Sequence, residues 1–449
     1  MAGSFDGGAH GARRRGGPAG RALRRCGGAA VRRRGEGAAW EGGGGRRAAV
    51  SSSSAAPPPG RDGRSGVKKA LAAAFAQRLE GHPGQRPGVA RRAVEAALIA
   101  VGRREAVTDA WEKRFGGEPR PFFKHFRALA HGDVEAAVDG MLSDTLDAAE
   151  ACGRLPDVCT VAVDYHKDRD FSAKHVGCVG TNGLKGTRHA MCYLSAESVT
   201  PDARYTFGVR PSRQAANRAH ALGAVLDAAR ARVEVDLALM DKEFDVADAY
   251  NACNARGLAF VVPVKRTRRV NALLDAAYAG RRRVPDTLFS VNTVPRHLVN
   301  AGKANEAAVR LVFVWGPDPK DPSKDRAFAF AVEAGTALAD RDLVKRAERY
   351  RERWGIETGY AVKDPFRPRT TSDHYPTRLF LQLWSLVAHN LWTLVRALCA
   401  AAPAPWMNDL PASRRGRYLR RDFRDDLLAA FAVPADKGGG GCGCACHAR

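Results

Sequence analysis

Over residues 1–66 the apolar positions follow no period. The stretch is Gly, Ala, Arg and Ser, closes on AAPPPGRDGRSG, and sets 13 Arg against 4 acids, which predicts a disordered basic tail. From VKKALAAAFAQRLEG to about Leu155, Ala and Leu recur at three- and four-residue spacing, with turns at HPGQRPG and FGGEPRP. A small helical domain over 67–155 is expected. The texture then changes. VCTVAVDYH is an apolar β-rich run, RHAMCYLSAESV and ARYTFGVR read as its antiparallel partners, and RQAANRAHALGAVLDAARAR reads as a helix. VDLALMDKEF is another apolar strand, DVADAYNACNARG a helix closed by Gly257, and LAFVVPVK a further buried strand. Three strands, helix, strand, helix, strand over 156–264 is a mixed α/β unit. Residues 265–332 combine basic turns (KRTRR, GRRRV) with short alternating runs such as VRLVFVW and RAFAFAV, a β-rich insertion. Helices return over 333–432, and 433–449 is a Gly/Cys tail expected to lack structure.

The whole chain has 449 residues with a net charge of +24 and a pI near 10.1. Such a balance favours polyanionic partners, nucleic acid first and an anionic membrane surface second. No signal-peptide pattern opens the sequence, and the apolar run RLFLQLWSLVAHNLWTLVRAL is interrupted by Gln382, His389 and Asn390, so it reads as a buried helix rather than a membrane span. The ten cysteines lack framework spacing, which points to reduced thiols in an intracellular compartment. The terminal Cys442, Cys444, Cys446 and His447 have the wrong spacing for a zinc knuckle. His166, His189 and His389 read as polar residues of the core or strands rather than as ligands.

Two of the apolar strands each place an Asp among hydrophobic residues, Asp164 in VAVDY and Asp241 in LALMDKEF. A charge on a strand built for burial costs several kcal/mol unless something compensates it. A hard divalent cation is one solution; an ordinary strand-end residue capping the next turn is the other. The stretch YRERWGIETGYAVKDPFRPRTTS adds a third acid. If 340–363 is helical, Tyr350, Arg353 and Glu357 lie within about 60° of one another, while Glu352 points about 140° from Glu357. The competing reading is a solvated face with an Arg353–Glu357 ion pair, against which stand Trp354, Ile356 and Tyr360 between the charges.

Tyr350, Arg353 and Glu357 followed by a Pro-rich Thr-Ser exit resemble the signature of DDE transposases of the insertion-sequence class with the YREK motif. The resemblance spans Val158 to Leu398 and is most specific from Tyr350 to Trp392. It implies an RNase H-like mixed-sheet core holding two strand-borne Asp and a helix-borne Glu, with a β-rich insertion between the second Asp and the Glu, alongside the N-terminal helical domain. One position departs: the family has Lys seven residues after the Glu, where this chain has Asp364, with Lys363 just before it. Either the helix ends at Pro365, leaving Lys363 to swing toward a DNA phosphate, or the copy is degraded.

The resemblance further implies that Asp164, Asp241 and Glu357 hold two Mg²⁺ ions, replaceable by Mn²⁺, for DNA cleavage and strand transfer in cut-and-paste transposition. Tyr350, Arg353, Trp354 and Lys363 would contact DNA. Lys265, Arg266, Arg268 and Arg269 of KRTRR are further candidate DNA contacts; solvated turns are the alternative. The implied partners are double-stranded DNA, as transposon ends and as target, and a second copy of the chain, with no membrane, in the cytoplasm or nucleoid of a prokaryote or the nucleus of a eukaryote. Two other readings stand: a transposase-derived DNA-binding protein without cutting activity, and a metal-dependent nuclease of the same fold.

Overall fold

The computed structural model describes residues 61–80, 88–171, 176–181, 186–200, 204–212, 217–285, 288–293, 305–318, 321–353, 362–401 and 419–431. The central strand is β1 (Val158–Arg169), buried over most of its length. It lies between β3 (His189–Ser198), antiparallel, and β5 (Glu234–Met240), parallel. The outer edge of β3 is shared by β2 (Cys178–Gly180) and β4 (Thr206–Pro211). β6 (Phe260–Pro263) extends the parallel side next to β5. Helix α6 (Arg218–Arg230) links β4 to β5, and α7 (Ala247–Asn254) links β5 to β6. The order β4-β3-β1-β5-β6, with β3 alone running against the rest, is that of an RNase H-like core. It follows the expected sequence of three strands, helix, strand, helix, strand.

The insertion does not stand apart from this core. It comprises α8 (Arg268–Ala279), β7 (Phe289–Thr293), β8 (Asn305–Asp318) and β9 (Asp321–Glu333). β9 pairs antiparallel with β6, so its strands continue the core sheet to nine strands. An exposed row of backbone donors and acceptors on β6 is thereby satisfied. The basic run KRTRR, read as a turn, starts α8: the Thr267 hydroxyl oxygen accepts from the Val270 amide at 3.2 Å. Val270, Leu274 and Ala277 supply the buried face, a helical spacing that the surrounding arginines obscure.

Five N-terminal helices, α1 (Arg61–Leu79), α2 (Val89–Arg103), α3 (Val107–Phe115), α4 (Arg120–Arg127) and α5 (His131–Ala151), precede the sheet. Helix α1 thus begins inside the stretch expected to be tail. The five share a core with the C-terminal helices α10 (Tyr375–Ala401) and α11 (Arg420–Ala430). Phe75 meets Trp384 edge-on at 5.9 Å and Phe126 lies 4.4 Å from Phe380 between ring centroids. Helix α9 (Asp340–Glu348) follows β9 and leads into the site. Among the described residues no helix is long and apolar enough to cross a membrane, and Cys152, Cys159, Cys178, Cys192, Cys253 and Cys399 are free thiols.

One of the groups that fasten helix α10 to the sheet is a buried amide. Asn390 Nδ2 donates to the Thr206 carbonyl and its Oδ1 accepts from the Thr206 amide, both at 2.8 Å and fully buried. The side chain acts as one further residue of strand pairing at the β4 edge. Asn390→Leu, which leaves both backbone groups without partners, should lower the unfolding free energy by about 2–4 kcal/mol; the urea midpoint and slope measure it.

Candidate active site

Register brings the two strand-borne acids together. Val163 is paired with Met240 across the parallel β1–β5 ladder, so the next residues, Asp164 and Asp241, stand side by side at the point where β5 ends. Asp164 is 8 % exposed. Its Oδ1 accepts from the Tyr165 amide at 2.8 Å. Asp241 accepts from the Lys242 amide and caps the 3-10 turn Lys242–Phe244. The capping role and the juxtaposition with Asp164 therefore coexist.

Arg353 supplies the compensating charge. Its Nη1 donates to Asp164 Oδ2 at 2.9 Å and its Nη2 lies 3.9 Å from Asp241 Oδ1. Its Nε donates to the Tyr350 hydroxyl at 2.8 Å, and the guanidinium sits 5.3 Å from the Tyr350 ring centroid. The expected continuous helix over 340–363 is not what places these groups. Helix α9 ends at Glu348 and tightens into a 3-10 turn, Arg349–Arg353, whose three-residue repeat puts Tyr350 and Arg353 on one side. Arg349 fastens that turn: it pairs with Asp236 of β5 at 3.0 Å and donates to the Thr160 hydroxyl of β1, which itself donates to Asp236 at 2.9 Å.

Burial pushes the Asp164 carboxyl up to about 7; the Arg353 guanidinium draws it down and the neighbouring Asp241 carboxylate pushes it up again. Burial likewise raises the Tyr350 phenol, while the Arg353 guanidinium that donates to it draws it down. Two hard oxygen donors on adjacent strands, holding a cation between them, are a donor set suited to Mg²⁺ or Mn²⁺. Among the described residues no third His, Cys, Asp or Glu joins them to form a metal cluster. Glu357 and Trp354 lie outside the described residues.

Lys363 is not where the exit of the motif was expected to leave it. Its side chain is buried in an ion pair with Glu197 of β3, itself 3 % exposed and accepting from the Ser195 hydroxyl at 2.9 Å. The ammonium cannot swing to a DNA phosphate without stranding that carboxylate in the core. Asp364 is exposed and opens a short 3-10 turn, Asp364–Phe366. Glu197 went unrecognised within LSAES, although register gives it away: Ser195 faces Asp164 and Glu197 faces Ala162, so Glu197 and Asp164 share a sheet face one pleat apart.

The KRTRR side chains are exposed but engaged in different ways. The Lys265 ammonium donates to the Asp245 carbonyl at 3.2 Å, and Arg266 donates to Asn271 and to the Ala327 carbonyl at 2.7 and 3.0 Å. Arg269 lies over Phe289 at 4.4 Å. Arg268 is exposed in the first turn of α8. Arg266 lines, with Asp241, Tyr350, Arg326 and Phe328, a cavity of about 590 Å³ beside the carboxylates. His166, against Tyr193 at 4.8 Å, is pushed down to about 3 by burial and by Lys363 and Arg367, and burial also lowers His389.

The RNase H-like core thus sets Asp164 on β1 beside Asp241 at the end of β5. Residues 199–391 match the family model described as transposase DDE domain. The match takes in Asp241, Tyr350, Arg353 and Lys363, while Asp164 precedes it. No curated protein matches the sequence. Among solved structures, a piggyBac transposase synaptic complex with hairpin DNA is similar over 83% of this chain and 80% of that chain, at 9% identity and a TM-score of 0.46.

The Lys363–Glu197 pair makes a clear forecast. Lys363→Met should cost about 3–5 kcal/mol of unfolding free energy, because it leaves Glu197 buried without its counter-charge. Adding Glu197→Gln should recover most of that loss, and chemical denaturation of the single and double variants reads the difference.

Proposed function

We propose that this protein is a DNA transposase that cleaves phosphodiester bonds with divalent ions held by Asp164, Asp241 and Glu357 and then joins the freed 3′-hydroxyl to target DNA. The observation that supports this reading is the convergence of Asp164 and Asp241 from neighbouring strands onto one cation. When bound, a pair of Mg²⁺ ions activates water and stabilises the attacking and leaving oxygens of an in-line displacement. Asp164, which lies between Asp241 and the Glu197–Lys363 pair, would hold the ions together with Asp241 and Glu357.

Arg353 has a double role here. In the protein alone its guanidinium neutralises the two carboxylates; with substrate bound it turns to a non-bridging phosphate oxygen, for which its planar donor pair is matched. Tyr350 holds its Nε through that change. Lys363 instead fixes the chain after Glu357 against β3. The cavity beside Asp241, edged by Arg266, Arg326 and Phe328, receives the nucleotides next to the cut. The partners are duplex DNA, as element ends and as target, and a second copy of the chain bound to the same DNA.

A second reading has a specific observation in its favour. The burial of Lys363, with Asp364 at the family's Lys position, removes one cation from the site, as in a transposase-derived protein that binds DNA without cutting it. Plasmid nicking separates the two. Wild type should nick supercoiled DNA with Mg²⁺ or Mn²⁺ and not with EDTA. Asp164→Asn and Asp241→Asn should each lose activity on the order of 10³-fold, the equivalent of several kcal/mol of transition-state stabilisation, with DNA affinity within about twofold of wild type. Absence of nicking by wild type at full DNA occupancy would favour the non-cutting reading. Joining of a 3′-hydroxyl oligonucleotide end to plasmid should also be seen; cleavage without joining would indicate a nuclease.

A further inference from the structure

Helices α2 and α11 cross closely. A methyl group on Gly102, in the last turn of α2, would stand 2.9 Å from Leu428 Cδ2 and 3.5 Å from the Arg424 carbonyl oxygen. The crossing brings Arg104, just past α2, beside the first turns of α11, which carry Arg420, Arg421 and Arg424. A third piece of chain closes the same corner. The Val107 amide donates to the Arg369 carbonyl at 3.1 Å and the Arg369 amide donates to the Glu105 carbonyl at 3.4 Å. Arg420 Nη1 donates to the Val362 carbonyl at 3.4 Å, and Phe366 lies 5.9 Å from Phe423.

Four guanidinium groups therefore gather where three segments meet. Glu105 is engaged by Lys113 at 2.5 Å, Asp426 by Lys68 at 3.0 Å, and Asp422 caps α11 through the Leu419 amide at 2.8 Å. Asp425 acts on Arg424. Burial, and then Arg104, hold the Arg424 guanidinium below its ordinary value; Asp425 opposes this, and Arg420 and Arg421 add to the lowering. Arg424 Nε is buried with no hydrogen-bond partner. Arg420 and Arg421 also sit at the positive end of the α11 dipole, where cations are disfavoured and anions welcome. Arg104 and Arg421 are exposed, while Arg420 and Arg424 are half-buried, so the cluster faces outward as well as inward.

We propose that Arg104, Arg420, Arg421 and Arg424 form a docking site for backbone phosphates of duplex DNA, distinct from the carboxylate centre. This rests on the DNA-transposase reading for the identity of the polyanion, which the chain's net charge of +24 also favours. The cluster is linked to the centre by a short run of chain: Arg420 holds Val362, and the next residue is Lys363, whose partner Glu197 lies one pleat from Asp164.

The test is binding of a labelled duplex by fluorescence anisotropy between about 50 and 250 mM salt. Arg420→Gln/Arg421→Gln/Arg424→Gln should make the slope of log K against log salt shallower by about 2–3, near 0.9 for each phosphate that is no longer neutralised. Affinity at low salt should fall on the order of tenfold or more, to the same extent for unrelated sequences. Should the triple variant fail to fold, Arg104→Gln/Arg421→Gln changes two exposed side chains and should make the slope shallower by about 1–2. An unchanged slope in a folded variant of wild type that binds DNA overturns the proposal and leaves the transposase reading standing. A variant-dependent slope in a protein that never nicks supports the docking site and counts against the enzyme. Wild type that binds no DNA overturns both.

Discussion

Two carboxylates set on neighbouring parallel strands, in register and largely out of water, are the constraint around which this protein is arranged. Their mutual repulsion and desolvation require a cation, and Arg353 meets the requirement. That places demands on the chain well beyond the site. The 3-10 turn that carries Arg353 must be held against β1 and β5, and Arg349 does this through Asp236 and Thr160. The segment after 361 must be returned to β3, and the Lys363–Glu197 pair does that on the other flank of Asp164.

The rest of the molecule steadies this centre. β9 continues the sheet from β6, so the insertion leans on the same strands that carry the acids. The N-terminal helices share their core with α10, and α10 in turn grips β4 through Asn390. A change far from the acids, such as loss of that buried amide, acts on the site only by loosening the frame; a change at Arg353 acts on the charge balance itself. Stability and chemistry are thus separable by position, which is useful in a centre where any single substitution alters both packing and charge.

Within the site, the groups differ in how visible they were along the chain. Asp164 and Asp241 stand out because each interrupts an otherwise apolar strand. Tyr350 and Arg353 stand out through their spacing, although the turn that presents them is 3-10 and not the extension of α9 that a 3.6-residue period suggests. Glu197, Asp236 and Arg349 carry no such mark. Each looks like one more charge on a strand or helix end, and its meaning lies in a partner more than a hundred residues away or, for Asp236, also on the adjacent strand. Lys363 shows the converse: its position next to the motif's expected cation suggested an outward phosphate contact, yet Glu197 draws it inside.

By itself the sequence determined the order of the main strands and helices over 156–264, the mixed α/β class and the presence of two anomalous acids, because burial and periodicity are properties of short windows of chain. Only the tertiary structure decided which charges meet: Arg353 with the two Asp, Lys363 with Glu197, and four arginines at the crossing of α2 and α11. Electrostatic partnership depends on distance in space and on loss of water, and neither is defined until the chain has folded.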